Sequence, residues 1–187
     1  MDNKFELSYS EKKTLLQIAR KTLENHLNNQ KFTVENQNFT YNLKQKCGAF
    51  VTLRNRGILR GCIGRFGQQQ PLYQVVRQMS IAAATQDDRF EPVEISELKD
   101  IDIEISVLTP MKRIFSIDQI EIGKHGIYIK KGWQSGTLLP QVAIEHNLDK
   151  LEFLKICSKN KAGLGEDGWK TAELYVYEAI VFGEKDF

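Results

Sequence analysis

Residues Gly48–Gly64 read GAFVTLRNRGILRGCIG. Phe50-Val51-Thr52-Leu53 and Ile58-Leu59 are strand formers, and Asn55-Arg56-Gly57 supplies a turn between them, so the stretch predicts a β-hairpin. Its second strand ends in LRGCIG, Leu59–Gly64. Glycine adds no packing to a strand and costs backbone entropy, so Gly61 and Gly64 need a reason to be there. Strict alternation puts Arg60 and Cys62 on one face and Leu59 and Ile63 on the other.

The pattern continues in both directions. Upstream, Ser8-Tyr9-Ser10-Glu11 has capping-box spacing. Leu15, Leu16, Ala19, Leu23 and Leu27 then recur at helical intervals, which predicts a helix over 10–28. The polar segment from Asn29 to Asn42 reads as an extended loop. Downstream, Pro71 fits a first helical position, and Leu72, Val75, Val76 and Met79 carry that helix to Ala84. A charged loop, Thr85–Phe90, is closed by Pro92. Ser96-Glu97-Leu98 then leads into a strand in which Ile101, Ile103, Ile105 and Val107 alternate with Asp102, Glu104 and Ser106.

A second hairpin is expected between Lys124 and Leu139, turning at Gly132. Asp149–Glu152 is another capping box, opening a helix through Phe153, Leu154, Ile156 and Cys157 that Gly163 ends. Glu173–Phe182 is a final strand. Helices and antiparallel hairpins without a βαβ rhythm indicate an α+β fold.

The 187 residues carry 26 Lys and Arg against 24 Asp and Glu, a net charge of +2. That balance gives no bulk electrostatic reason to expect nucleic-acid binding. No apolar run is long enough to cross a bilayer, and MDNKFELSYSEKK lacks the apolar core of a signal peptide, so a cytoplasmic protein is expected. Cys47, Cys62 and Cys157 are odd in number and widely spaced, which argues against a disulfide framework or a zinc knuckle.

Several side chains invite a chemical reading. Cys62, beside an arginine and glycine-exposed backbone, is a candidate nucleophile, although a free cysteine is more often packed under a sheet. Glu104 shares a strand face with Asp102. If Arg60 lies across from it, the two form a polar floor that either braces the sheet or receives an anion. Asp87, Asp88 and Arg89 form a charged loop after the small residues Ala82–Ala84. His146 and Glu145 are a conceivable base and its orienting carboxylate, but neighbours on a strand point in opposite directions. No metal-ligand spacing occurs. Gly57, Gly61, Gly64 and Gly67 match no phosphate-loop pattern. No cofactor is called for.

Taken together, LRGCIG, Asp88-Arg89-Phe90-Glu91-Pro92, Glu97-Leu98 with Ile103–Pro110, Gly123-Lys124-His125-Gly126, Leu138-Leu139-Pro140-Gln141-Val142-Ala143 and Lys161-Ala162-Gly163-Leu164 resemble the AMMECR-type domain family over residues 8–184. One departure is visible: the helix from Cys157 into Lys161-Ala162-Gly163-Leu164 is longer by a couple of residues than the family pattern. The resemblance implies one α+β domain of two unequal lobes with a cleft near LRGCIG. It implies no established reaction. It also implies an association with a Memo-like protein and a radical S-adenosylmethionine enzyme in a shared modification pathway. The chain lacks the C-x-x-x-C-x-x-C cluster motif and is not itself the radical enzyme.

Three functional readings follow. In the leading one, an accessory or binding protein of that pathway holds a substrate or partner over Arg60, Gly61, Cys62, Gly64 and Glu104, with Asp88 and Arg89 at the rim. In the second, Cys62 is a catalytic nucleophile, Arg60 stabilises its thiolate, and Glu104 or His146 carries the proton. In the third, Arg54, Arg56, Arg60 and Arg65 meet the phosphates of RNA or a nucleotide.

Overall fold

The computed structural model describes residues 5–34, 38–66 and 69–187. Gly67 and part of the predicted 29–42 loop lie outside the described residues. The chain divides into two compact units, one of Met1–Leu108 with Ile180–Phe187, the other of Thr109–Ala179.

The first unit is helices laid on a β-sheet. Helix α1 (Tyr9–Leu27) begins at the predicted capping box: the Ser8 amide donates to Glu11 Oε2 at 2.7 Å, and the Ser8 side chain accepts from the Glu11 amide. The predicted 29–42 loop is interrupted at its end by a short helix, α2 (Tyr41–Lys44). Strands β1 (Ala49–Asn55) and β2 (Ile58–Arg65) form the hairpin. Arg56 and Gly57 both take positive φ, 50° and 86°, the conformation a two-residue hairpin turn requires. Strand β3 (Ile101–Leu108) pairs with β1 on its other side, giving the order β2-β1-β3.

Helix α3 (Leu72–Thr85) packs with α1 on this sheet. Leu15, Leu23, Val51, Leu53, Leu72, Val75, Ile103 and Ile105 are sealed in the core between them, each worth roughly 1.5–3 kcal/mol when fully buried. Ser96–Leu98 belongs to a 3-10 turn (Ile95–Asp100) that precedes β3. Arg20 braces the layers. It donates to both carboxylate oxygens of Glu184, to the Leu98 carbonyl and, at 2.6 Å, to the Ile101 carbonyl, while Glu184 accepts the Ile103 amide.

The second unit carries β4 (Lys112–Ile114), β5 (His125–Lys131), β6 (Gln134–Leu138) and most of β7 (Glu173–Gly183), paired antiparallel in the order β4-β7-β5-β6. The second hairpin turns at Gly132 as predicted, with φ of 59°. One side of this sheet packs Ile114, Ile127, Ile129, Leu138 and Val176 against Phe153, Leu154 and Cys157. Leu154 and Phe153 come from α5 (Lys150–Ile156), which starts at the expected Asp149–Glu152 capping box.

The strand geometry weighed for Glu145 and His146 is corrected. Pro140–Glu145 is a helix, α4, with Pro140 at its first turn and His146 as an exposed C-terminal cap. Proline has no amide to lose there and its φ suits a helix start. The extra length after Cys157 takes the form of a π-helical turn, Cys157–Lys161, in which the Ala162 amide reaches the Cys157 carbonyl at 2.9 Å. Such single wide turns are rare in helices. Among the described residues no helix is long and apolar enough to cross a membrane.

Candidate functional site

LRGCIG lies on the edge strand of the first unit, and its two glycines have different reasons. A Cβ on Gly61 would sit 2.0 Å from the Ala83 carbonyl oxygen. The last turns of α3, built from the buried Ala82–Ala84, therefore press directly on the β2 backbone. A Cβ on Gly64 would lie 2.1 Å from the ring of Phe50, its cross-strand partner. That ring meets Phe66 edge to face at 5.1 Å. The space both glycines leave is taken by the protein's own atoms.

The alternation expected for this strand breaks at its centre. Leu53 pairs with Gly61 but Arg54 pairs with Leu59, so Arg60 is an extra residue opposite no partner. This β-bulge shifts every side chain before it by one place. Arg60, as the extra residue, falls outside the cross-strand rows that the simple period predicts. Cys62, Thr52 and Glu104 instead form one cross-strand row, in which the Thr52 hydroxyl donates to Cys62 Sγ at 3.2 Å. Thr52 stands between the other two.

Arg60 does not face Glu104 either; its carboxylate is Glu97. Nε donates to Glu97 Oε2 at 2.8 Å and Nη2 to Oε1 at 2.9 Å, the two-pronged geometry that suits guanidinium and carboxylate. The remaining prongs reach the carbonyls of Glu91 at 2.7 Å and Pro92 at 3.2 Å. Glu97 also accepts from Asn55 and from the Glu94 amide. With Arg60 as the main cause, its carboxyl is held down at about 2. Arg60 is committed to holding the 91–97 segment against the bulge.

A second clip acts one residue pair further on. Asp87, 4% exposed at its side chain, accepts the Cys62 amide at 2.8 Å. It also accepts the Arg89 amide, Nε at 2.9 Å and Nη2 at 2.7 Å. Arg89, first among these donors, holds the Asp87 carboxyl far below the ordinary carboxylate range. As the edge strand, β2 would present an unpaired Cys62 N–H, and Asp87 satisfies it. Asp88, the sequence choice for a rim residue, is exposed, while Arg89 is half exposed over the Phe90 ring.

The remaining candidates are dispersed. His146 lies in the second unit. Of the hairpin arginines, Arg56 pairs with Asp100 at 3.0 Å and Arg65 donates to Gln70. Among the cysteines, Cys47 and Cys157 are buried, and burial pushes their thiols up to about 11 and about 12; Cys62 is only half-buried. Among the described residues no three His, Cys, Asp or Glu side chains are grouped to hold a metal ion.

Sequence reasoning names Asp87 only within a charged loop and Glu97 only in the approach to β3, and gives neither a place at the site. Glu97 lies 37 residues from its partner, and nothing local links the two. For the bulge there was a signal, because an isolated glycine within a strand pattern is where one is expected.

Comparison with known proteins places this architecture. The AMMECR1 family model matches residues 16–182. A Methanosarcina barkeri protein is 41% identical, the match covering 94% of this chain and 91% of the relative. One from Methanothermobacter thermautotrophicus is 40% identical over 95% of this chain and 96% of its own. The crystal structure of an uncharacterized protein from Pyrococcus horikoshii superposes with a TM-score of 0.80 at 34% identity, covering 92% of this chain and 90% of that one. This chain belongs to the AMMECR1 family.

Proposed function

We propose that this protein is a binding or accessory component, acting in the cytoplasm in a modification pathway with a Memo-like protein and a radical S-adenosylmethionine enzyme, and that the LRGCIG edge and its two clips form the surface it presents. The observation that supports a binding role over a catalytic one is how completely the charged groups at LRGCIG are occupied. Arg60 is bound at both prongs by Glu97, and the Asp87 carboxylate is filled by the Cys62 amide and Arg89. The hydrogen bond to the Cys62 thiol comes from a hydroxyl, Thr52, and not from a base. A nucleophilic cysteine needs an adjacent base or a cation free to stabilise its thiolate. A rigid, satisfied edge suits recognition better, because little order has to be created on binding.

The test is affinity purification of the tagged protein from native cells. The proposal expects recovery of the Memo-like protein and the radical enzyme; repeated recovery of neither overturns the pathway assignment.

One observation favours the enzymatic reading. Cys62 is half-buried while both other cysteines are sealed in cores. Alkylation at neutral pH separates the two ideas. Modification of Cys62 far ahead of Cys47 and Cys157, with loss of a turnover assayable in the pathway, supports catalysis. Sluggish reaction at all three removes it.

A further inference from the structure

Away from LRGCIG, the first unit contains a cavity of about 350 Å³ between α1, α3 and the segment that follows α1. Thr22 and His26 line it from one face of α1, a helical turn apart, and Arg77 and Ile81 line it from α3 with the same spacing. Asn29, at a positive φ of 56°, turns the chain after α1. Residues Gln30–Thr33 then close the third side, fastened where Arg77 Nη2 donates to the Phe32 carbonyl at 3.1 Å.

The charge on this lining is one-sided. Among the described residues it contains Lys31 and Arg77 and no Asp or Glu. Among the described residues neither cation forms an ion pair, whereas Arg20, Arg60 and Arg89 each have a carboxylate within 3 Å. The same wall holds a second anomaly. Thr22 is 3% exposed, and its hydroxyl has no hydrogen-bond partner. Buried hydroxyls are nearly always satisfied, so one that is not asks for an explanation. Phe32 and Ile81 add apolar surface beside these polar groups.

We propose that this cavity binds a small phosphate monoester, its phosphate between Lys31 and Arg77 and its organic part against Phe32 and Ile81. A monoester carries close to two negative charges near neutral pH and three strong acceptor oxygens. It therefore matches two unneutralised cations set on different walls better than a single carboxylate does. Arginine offers it a planar fork and lysine a point charge. Thr33 and Gln30 supply further donors.

The test uses the full-length protein and three probes: phenyl phosphate, inorganic phosphate and benzyl alcohol, followed by backbone amide NMR shifts. The proposal expects saturable binding of phenyl phosphate, weaker binding of inorganic phosphate and none of benzyl alcohol, with shifts centred on residues 22–33 and 77–81. Arg77→Gln and Lys31→Gln each weaken phenyl phosphate by about tenfold, the loss of one charge-assisted hydrogen bond. Lys31 projects from the surface, so Lys31→Gln keeps the wild-type melting curve; Arg77→Gln also loses the bond to the Phe32 carbonyl, and Arg77→Lys, which keeps the charge, retains part of the affinity if charge is what matters. Three results overturn the proposal: no saturable shift with phenyl phosphate, equal binding of benzyl alcohol, or binding that Arg77→Gln and Lys31→Gln leave unchanged.

Discussion

Two cationic regions of the first unit are built on opposite plans. At the LRGCIG edge the two clip arginines each meet a carboxylate: Arg60 meets Glu97 and Arg89 meets Asp87, and each pair ties a loop to the sheet. At the α1–α3 cavity Lys31 and Arg77 meet none among the described residues, and there the buried Thr22 hydroxyl is unpaired. A paired charge that is already hydrogen-bonded gives a protein partner a preorganised surface but offers little to a small anion, which must first break the pair. An unpaired charge in a concavity is the one with interaction left to give. The motif that stands out most in the sequence is thus the braced region, and the quieter segment 30–33 is the open one.

The brace is easiest to break at its backbone contact. Gly61→Val places a side chain where the Ala83 carbonyl oxygen already stands at 2.0 Å. Helix α3 has to move off β2, and the expected loss is roughly 3 kcal/mol in urea unfolding. A similar stability to wild type would mean that α3 does not press on this strand. Next comes Asp87→Ala, which strands the Cys62 amide and frees Arg89. The expected cost is about 2 kcal/mol, the penalty of leaving a partly buried donor unmet. The neighbouring Asp88→Ala, at an exposed position, serves as its control and changes little.

Much of the fold was legible in the sequence and the brace was not, for physical reasons. The hairpins could be read because Arg56-Gly57 and Gly132 mark turns and β-branched residues flank them. The capping boxes at Ser8 and Asp149 could be read because all the atoms they use lie within four residues. Gly61 hints at a bulge, but alternation alone does not say which residue of LRGCIG is skipped. Which of Asp87 and Asp88 turns inward depends on how the chain leaves α3. The pairing of Arg60 with Glu97 in place of Glu104 depends on a 3-10 turn that the approach to β3 concealed. Pro140 did announce α4, but the apolar Leu138-Leu139 before it reads equally as a strand continuing through.

A smaller effect appears on titration. The Glu97 carboxyl is held at about 2 in the folded protein against an ordinary 4.5. A depressed carboxyl stabilises the fold above its unfolded value, and that stabilisation fades as pH falls from about 4.5 toward 2. Glu97→Gln removes this group, so its stability falls less steeply than wild type across that window. Parallel curves would show that the Arg60 pair contributes nothing there. At the cavity the sign is expected to reverse. Thr22→Val deletes an unsatisfied hydroxyl at nearly constant volume, leaving stability unchanged or raised by up to about 1 kcal/mol. A clear loss of stability would show that the hydroxyl has a partner in solution.

The contrast itself is tested most directly by mapping where phenyl phosphate perturbs backbone amides across the whole chain. The account predicts shifts in residues 22–33 and 77–81 and silence in 59–64 and 87–97, because Arg60 and Arg89 are already held. Shifts concentrated at Arg60, Cys62 and Arg89, with none around Lys31 and Arg77, would contradict it.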